Sequence, residues 1–231
     1  MLKSTRNFLT ALFEKKIILH NGLILSIRNY MDWYISVETI VLNNYQLKNK
    51  HKVIIDIGAA IGDFSVFASK FAEVVYAIEP EPSSVKLIQK NIKQNNIKNI
   101  MVFPIALNSV SSKTSLSVDP RNYAHTNTYS KTNIISVKSQ SFSSFLLDNV
   151  KKYPVYIKCD CEGAEYDIFN TLSSKDYLKI SEIVMEYHLF NDEHRIGLKI
   201  LKTKLLSNGF KIRQELNPIH DKIGFLFAFK N

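Results

Sequence analysis

Segment 53–82 constrains the fold of this chain more than any other part of the sequence. An apolar run ends on Asp56, and a loop containing Gly58 and Gly62 follows. A helical pattern then leads to a second apolar run, which ends on Glu79. This order predicts a strand, a glycine loop, a helix and a second, parallel strand. In such a unit a ligand lies over the carboxyl ends of the strands, where an acid accepts hydrogen bonds from ribose hydroxyls. The segment therefore predicts a site for a nucleoside cofactor.

The rest of the chain alternates strand and helix patterns, as a parallel sheet with crossover helices requires. Strand candidates are 53–57, 74–79, 100–105, 155–160, 182–187, 211–216 and 223–229, and helix candidates are 62–71, 81–95, 163–172 and 194–208. Only the turn 217–222 separates the last two strands, so we expect them to pair antiparallel. The predicted fold class is α/β, with a Rossmann-like, seven-stranded, mostly parallel sheet and an antiparallel last strand. That arrangement resembles the class I methyltransferases.

The N-terminal residues 1–50 are predicted to form a cap that precedes the main domain at 51–231. Helical periodicity over 4–16 is followed by a hairpin pattern over 17–27 with an Asn-Gly turn, and then by a second helical pattern over 31–45. We therefore expect a cap made of a helix, a β-hairpin and a helix.

Residues 108–138 interrupt the alternation after the third main strand. They are rich in Ser, Thr and Asn and contain two short strand-like pieces, so they predict a β-ribbon insertion. Insertions beside the carboxyl edge of a sheet commonly shape substrate access. Tyr123 and His125 are therefore candidate substrate contacts, and a surface loop without a role is the alternative.

The composition indicates which binding partners and which cellular compartment to expect. The formal net charge of +9 suits nucleic acid, but the lysines are scattered, so nucleic acid is not the expected partner. No apolar run approaches the ~18 residues that span a bilayer. Cys159 and Cys161 lie too close in one predicted strand for an unstrained disulfide. Reduced thiols predict a cytoplasmic protein.

The loop chemistry favours one nucleoside cofactor over another. A dinucleotide loop needs three close glycines beside the pyrophosphate, and here Ala59 and Ala60 replace the middle one. The Asp56 carboxylate would repel a pyrophosphate, but it suits the amino and sulfonium cations of S-adenosylmethionine, whose product is S-adenosylhomocysteine. The expected cofactor contacts are Asp56, Gly58, Ala60, Gly62, Glu79, Pro80 and Asn108.

Several motifs together carry a family resemblance over about residues 17–230. They are DIGAAIGDFS, AIEPEP, PIAL, ISVKSQSFSSFL, YIKCDCEGAEYDIF and EIVMEYH. The chain thereby resembles the FkbM-type methyltransferases, whose pattern K-(I/C)-D-(V/C)-E-G-A-E is matched from Lys158 to Glu165. The family loop usually reads D-x-G-A-N-x-G, whereas this chain has Ala60 at the Asn position. The resemblance implies S-adenosylmethionine-dependent methylation, mainly of hydroxyl oxygens on sugars and secondary metabolites.

Methylation of an alcohol requires a group that removes or orients the hydroxyl proton. Asp160 is the first candidate, and its alternative is a helix cap. Glu162 is a further candidate, although an acid in the first turn of a helix more often serves as a helix-dipole partner. His188 is a candidate general base, or else a structural strand-end histidine. Glu165 more often serves as a helix-dipole partner, and Glu186 as a backbone anchor or a helper of His188. Asp160, Glu162 and Glu186 could in principle hold Mg²⁺, but nothing in the sequence fixes that geometry, so no metal is expected.

The expected function is O-methylation of a hydroxyl on a sugar, a glycan or a small metabolite by an S-adenosylmethionine-dependent enzyme. Two alternatives stay open. The loop motifs and the basic charge also suit an RNA methyltransferase, for example of tRNA, although the chain lacks an Asn-Pro-Pro-(Tyr/Phe) block and an evident RNA-binding domain. Ala60 keeps open a catalytically silent protein that uses the cofactor fold as a binding module.

Overall fold

A computed structural model gives the structure of the chain and describes residues 15–19, 22–109, 112–118, 134–217 and 221–230. Its strands are β1 (Lys16–Ile18), β2 (Ile24–Ser26), β3 (His51–Ile57), β4 (Ala72–Ile78), β5 (Ile100–Phe103), β6 (Ala106–Asn108), β7 (Ser112–Ser117), β8 (Ile134–Ser141), β9 (Val155–Cys159), β10 (Ile180–His188), β11 (Lys211–Leu216) and β12 (Ile223–Phe229). Its helices are α1 (Tyr30–Ser36), continued by a π-helical turn (Val37–Val41), α2 (Asp63–Ala68), α3 (Pro82–Gln94), α4 (Phe142–Asn149), α5 (Glu165–Asn170), α6 (Ser174–Leu178) and α7 (Asp192–Ser207).

The central sheet has seven strands in the order β11-β12-β10-β9-β3-β4-β5. Five of them, from β10 to β5, run parallel, and β12 pairs antiparallel with both β10 and β11. The α/β prediction is confirmed, including the antiparallel finish. The strand order reverses between β3 and β9, and ligands of such sheets bind at that switch point, beyond the carboxyl ends of the strands.

The sheet is covered on both faces, which explains the continuous apolar runs in its central strands. Along β3, Val53, Ile55 and Ile57 face a core that also contains buried side chains of α4, α5 and α7. Ile54 faces the opposite core, which includes Phe64 of α2. Burial on both faces holds the strand ends in fixed positions, and these ends carry the polar residues of the site.

Two helices were not predicted from the sequence. Helix α4 begins directly after a Ser-rich strand, between the predicted insertion 108–138 and the predicted strand 155–160, where no element was predicted. Phe142, Phe145 and Leu146 nevertheless recur at helical spacing and are fully buried. Helix α6 is held by a capping box between Ser173 and Asp176. Both helices are short, and tertiary packing stabilises them more than periodicity does.

The predicted strand 100–105 is divided in the structure. Strand β5 ends at Phe103, and β6 belongs to a separate three-stranded sheet in the order β6-β8-β7. In this sheet β7 and β8 pair antiparallel, as a ribbon insertion requires. Tyr123 and His125 lie outside the described residues.

The N-terminal hairpin pairs β1 with β2 antiparallel and packs against α3. The backbone N–H of Ser26 donates to Asn91 Oδ1 at 2.7 Å, and that of Ile24 donates to Asn95 Oδ1 at 2.8 Å. The second helical pattern corresponds to α1 and its π-helical turn, whereas almost all of the predicted helix 4–16 lies outside the described residues. Within the described ranges, no helix has the length and apolar character needed to cross a membrane.

Helix α4 has both buried and exposed side chains, so the contribution of burial to stability can be measured within one helix. We expect Phe142→Ala to lower the free energy of unfolding by about 3–5 kcal/mol, because it opens a cavity in the core. The matched change Leu147→Ala, at a side chain that is 69% exposed, should shift it by less than about 0.5 kcal/mol. Urea unfolding followed by circular dichroism measures both values. Equal losses in the two variants would contradict the assignment of the buried face.

Candidate active site

A cavity of about 540 Å³ lies over the carboxyl ends of the central strands. Glu79 follows β4, Asp160 follows β9, and His188 ends β10, so the cavity extends along the sheet edge from the first of these residues to the last. Side chains of α1 and its π-helical turn cover it, and β7 lines another wall through residues 114–117. The size and the few convergent polar groups are typical of a small-molecule site.

A buried ion pair lies beneath the cavity floor. Asp56 and Lys158 are register partners in β3 and β9, and Lys158 Nζ lies 3.1 Å from Asp56 Oδ1. Nζ also donates to the Gly58 carbonyl at 2.8 Å, and Ser65 Oγ donates to Asp56 Oδ2 at 2.6 Å. Burial would lower the pKa of Lys158, but the carboxylates of Asp56, Asp160 and Asp63 hold it above its usual value. Lys158 is therefore held as a cation.

This ion pair corrects the expectation for Asp56. The side chain is fully buried and does not line the cavity, because a buried carboxylate requires a partner and Lys158 provides one. Its negative charge is thus neutralised within the protein. In the strand segment YIKC, a single lysine stands among apolar residues. That lysine was the signal in the sequence for a buried partner of Asp56.

The two loop glycines serve different purposes. Gly58 has φ +74°, and a Cβ there would overlap the Asp160 carbonyl oxygen, so glycine lets the loop touch the end of β9. Gly62, at φ +81°, faces Ile88 of α3 and does not line the cavity. The expectation of a cofactor contact at Gly62 is therefore corrected to a packing role. Ala60 lines the cavity and also has a positive φ, of +48°.

Glu79 is held rigidly at the end of β4. Its Oε2 accepts from the Ala60 N–H at 2.9 Å, and its Oε1 accepts from the Glu81 N–H at 2.8 Å. Burial raises the pKa of Glu79 to about 7, although both backbone donors oppose that shift. Pro80 and Asn108, the other two residues predicted near the nucleoside, also line the cavity.

Asp63 was not predicted, although it is the second acid of the motif DIGAAIGDFS. It begins α2, is 4% exposed and lines the cavity. Its Oδ2 accepts no hydrogen bond from the described residues. Burial raises the pKa of Asp63 to about 6, against the opposing charge of Lys158. The cavity therefore contains a buried carboxylate oxygen that a cationic ligand could satisfy.

The structure brings Asp160, Glu162 and His188 together and adds Glu165. His188 Nδ1 lies 2.9 Å from Glu165 Oε1, and Nε2 lies 3.5 Å from Glu162 Oε2. Burial alone would lower the pKa of His188, but the carboxylates of Glu165, Asp160 and Glu162 raise it to about 10. At neutral pH the imidazole is thus a cation without a free lone pair. This protonation does not favour the general-base role expected of His188, which stays a prediction.

Two carboxylates lie next to each other at the ends of β9 and β10. Asp160 Oδ2 accepts from the Tyr45 hydroxyl at 3.1 Å, and Glu186 follows the register pair Met185–Cys159. Burial and the charge of Asp160 raise the pKa of Glu186 to about 8. Glu186 lines the cavity, and its expected role as a local backbone anchor or a helper of His188 stays a prediction.

The cavity differs in charge from the basic chain as a whole. Eight acidic side chains and one lysine are among the described residues that line it: Glu38, Asp63, Glu79, Asp160, Glu162, Asp167, Glu186, Glu193 and Lys158. Tyr45, Glu38 and the other contributions of the cap had no motif that could have identified them. The site therefore favours cationic or neutral ligands over polyanions.

Comparison with known proteins places this geometry in a family. Residues 56–219 match the model of the family described as "Methyltransferase FkbM domain". Methyltransferase 1 of Beauveria bassiana is 23% identical over 206 residues, covering 77% of this chain and 81% of that protein. The tRNA (guanine(37)-N(1))-methyltransferase Trm5b of Pyrococcus abyssi is 32% identical over 57 residues, which are 25% of this chain and 17% of that protein.

A solved structure gives the same fold. The Methyltransferase FkbM from Methylobacillus flagellatus KT superposes with a TM-score of 0.58 and 15% identity, over 83% of this chain and 47% of that one. This chain thus spans less than half of that protein and less than a fifth of Trm5b.

The ion pair beneath the cavity yields a stability prediction. We expect Lys158→Met to destabilise the fold by about 3–5 kcal/mol, because it leaves the Asp56 carboxylate buried without its counter-ion. Lys152→Met is the matched control, since Lys152 pairs with Glu73 at the exposed surface, and its urea midpoint should stay at the wild-type value. Adding Asp56→Asn to Lys158→Met should recover part of the loss. Unfolding curves that are superimposable for Lys158→Met and wild type would contradict this account.

Proposed function

This chain belongs to the FkbM methyltransferase family, and from that membership we propose that it is an S-adenosylmethionine-dependent O-methyltransferase. The proposed acceptor is a hydroxyl group on a sugar, a glycan or a small metabolite. The observation that carries the proposal is the single cavity that contains Glu79 at one end and Asp160 with Glu186 further along the sheet edge. Methyl transfer requires donor and acceptor in one line, and a continuous cavity supports that alignment.

The residues of the cavity fit S-adenosylmethionine. Glu79 would accept hydrogen bonds from the ribose hydroxyls, and Pro80 and Asn108 would lie beside the adenine. The buried Oδ2 of Asp63 suits the amino cation of the methionine moiety, in the role first expected of Asp56. When bound, this cofactor supplies an electrophilic methyl group on a positively charged sulfur.

The acceptor side is built from the carboxylates of β9 and β10. Asp160 would orient the hydroxyl group, and Glu186, beside it, would take the hydroxyl proton. The acceptor oxygen then forms its bond to the methyl carbon as the carbon–sulfur bond breaks, and the electrons of that bond remain on sulfur. His188 is a positioning residue in this scheme, because its cationic ring lies between the carboxylates of Glu162 and Glu165.

An RNA acceptor is the second candidate, favoured by the sequence similarity to Trm5b. The charge of the cavity opposes it, because the acidic side chains that line the cavity outnumber its single lysine and would repel phosphates. Labelled methyl transfer to a panel of sugars, glycans, metabolites and tRNA distinguishes these acceptors. Transfer to tRNA alone would replace the proposed acceptor class.

Glu79 gives the proposed cofactor site a pH dependence. The carboxylate, not the acid, accepts hydrogen bonds from both ribose hydroxyls, so protonation below its pKa of about 7 weakens binding. We expect the Kd for S-adenosylmethionine to rise up to about tenfold between pH 7 and pH 6. Glu79→Gln should raise the Kd at least about tenfold at pH 8.

Calorimetry at several pH values measures both effects, with Glu73→Gln, an exposed acid of the same strand β4, as the control that keeps the wild-type Kd. In Glu79→Gln the pH dependence near 7 should disappear, and any dependence left near pH 6 would belong to Asp63. No heat with the cofactor at any pH would contradict the enzyme proposal.

A substitution of Asp160 should slow the chemical step and leave cofactor binding unchanged. We expect Asp160→Asn to lower kcat about 10²-fold, since the amide orients the acceptor hydroxyl poorly. The Kd for S-adenosylmethionine should change less than about twofold, because Glu79 and Asp63 are intact. The control Asp148→Asn, at an exposed position of α4, should retain full turnover. Wild-type turnover in Asp160→Asn would remove Asp160 from the mechanism.

A further inference from the structure

The cluster at the end of β9 and β10 has donor atoms from three different elements. One ligand atom each from Asp160, Glu165 and His188 lie within 4.8 Å of one another. Asp160 follows β9, Glu165 begins α5, and His188 ends β10. We propose that this cluster binds a divalent cation of the first transition row, a site that the sequence alone did not lead us to expect.

The spacing suits direct coordination. Metal–ligand bonds of roughly 2.0–2.2 Å place neighbouring ligand atoms about 3 Å apart and opposite ones a little over 4 Å apart. His188 Nδ1 and Glu165 Oε1 are already 2.9 Å apart, and a bound cation would displace the proton that these carboxylates hold on the imidazole. The third donor, Asp160, lies on the cavity side, and all three ligand atoms lie within 4.8 Å of one another.

Glu165 provides an independent observation. Its side chain is fully buried, and Oε1 accepts from the Cys161 N–H at 3.0 Å and contacts His188. Its second oxygen, Oε2, is also buried and accepts no hydrogen bond from the described residues. A desolvated carboxylate oxygen without a donor costs free energy, and a cation in the cluster would compensate for it.

The donor chemistry selects the kind of metal. The cluster offers two carboxylates and one imidazole. Carboxylate oxygens alone would suit Mg²⁺ or Ca²⁺, whereas an imidazole among them favours Mn²⁺, Fe²⁺ or Zn²⁺. The carboxylates outnumber the single imidazole, and a doubly charged ion balances that excess.

Asp160, Glu162 and His188 line the cavity, so a bound cation would present open coordination positions to the acceptor. An acceptor hydroxyl bound there would be aligned, and its proton would become more acidic. This consequence rests on the proposed function, and Asp160 would then orient the acceptor through the cation. The binding of the cation itself depends only on the geometry of the cluster.

The test measures metal binding without turnover. The full chain, freed of metal with EDTA and dialysed, is titrated with Mn²⁺, and free Mn²⁺ is followed by electron paramagnetic resonance. We expect one saturable site per chain. Glu165→Gln and His188→Asn should each weaken the Kd at least tenfold. Asp192→Asn, which removes an exposed acid of α7, should bind as wild type does.

Three results would overturn the site: no saturable binding of Mn²⁺ or Zn²⁺ to the folded wild-type chain, equal affinity in Glu165→Gln and wild type, or an equal loss in Asp192→Asn. Circular dichroism confirms folding, and Asp160→Asn, at a less buried position, replaces any variant that fails to fold. Calorimetry of the EDTA-treated chain with S-adenosylmethionine tests the proposed function separately. Cofactor binding without metal binding overturns only the cation site, and metal binding without cofactor binding overturns only the methyltransferase proposal.

Discussion

The ion pair between Lys158 and Asp56 is the constraint on which the site depends. It joins β3 to β9 at the point where the strand order reverses. The same ammonium group holds the Gly58 carbonyl, and Ser65 of α2 donates to the same carboxylate. One buried interaction therefore fixes a strand end, the loop and the start of a helix. Because an unpaired buried charge is costly, a fold with only one of the two charges would be less stable than a fold with neither.

Several acidic side chains of the cavity are buried, and burial disfavours their charged form. Glu79, Asp63 and Glu186 have pKa values raised by burial, to about 7, 6 and 8 respectively. A rigid two-faced core holds these strand ends in position against that cost. Perturbed carboxyl groups that converge on one cavity are typical of functional sites, where a ligand completes the charge balance. The basic surface charge of the chain gives no indication of this interior.

The sequence predicted the sheet well because each central strand is a short apolar run that ends on a polar residue. Asp56, Glu79 and Asp160 mark three such ends, and all three occupy the carboxyl edge. Prediction failed where a role depends on a partner distant in sequence. Asp56 was expected to face the cofactor, but Lys158, about a hundred residues later, engages it. Similarly, the sequence did not indicate that Glu162 and Glu165 both contact His188. Helix α4 was missed because its boundary depends on tertiary burial and not on its Ser-rich composition.

Ala60 bears on the choice between an enzyme and a silent binding module. The family usually has Asn at this position, and Asn tolerates positive φ better than Ala does. Ala60 nevertheless adopts φ +48°, a conformation that costs an L-residue about 1–2 kcal/mol. In that conformation its backbone N–H donates to Glu79 Oε2. The contact that holds the proposed ribose acid thus comes from the backbone, which the substitution does not remove. A strained loop that still orients Glu79 is what cofactor binding requires, so the loss of the Asn side chain does not favour the silent module.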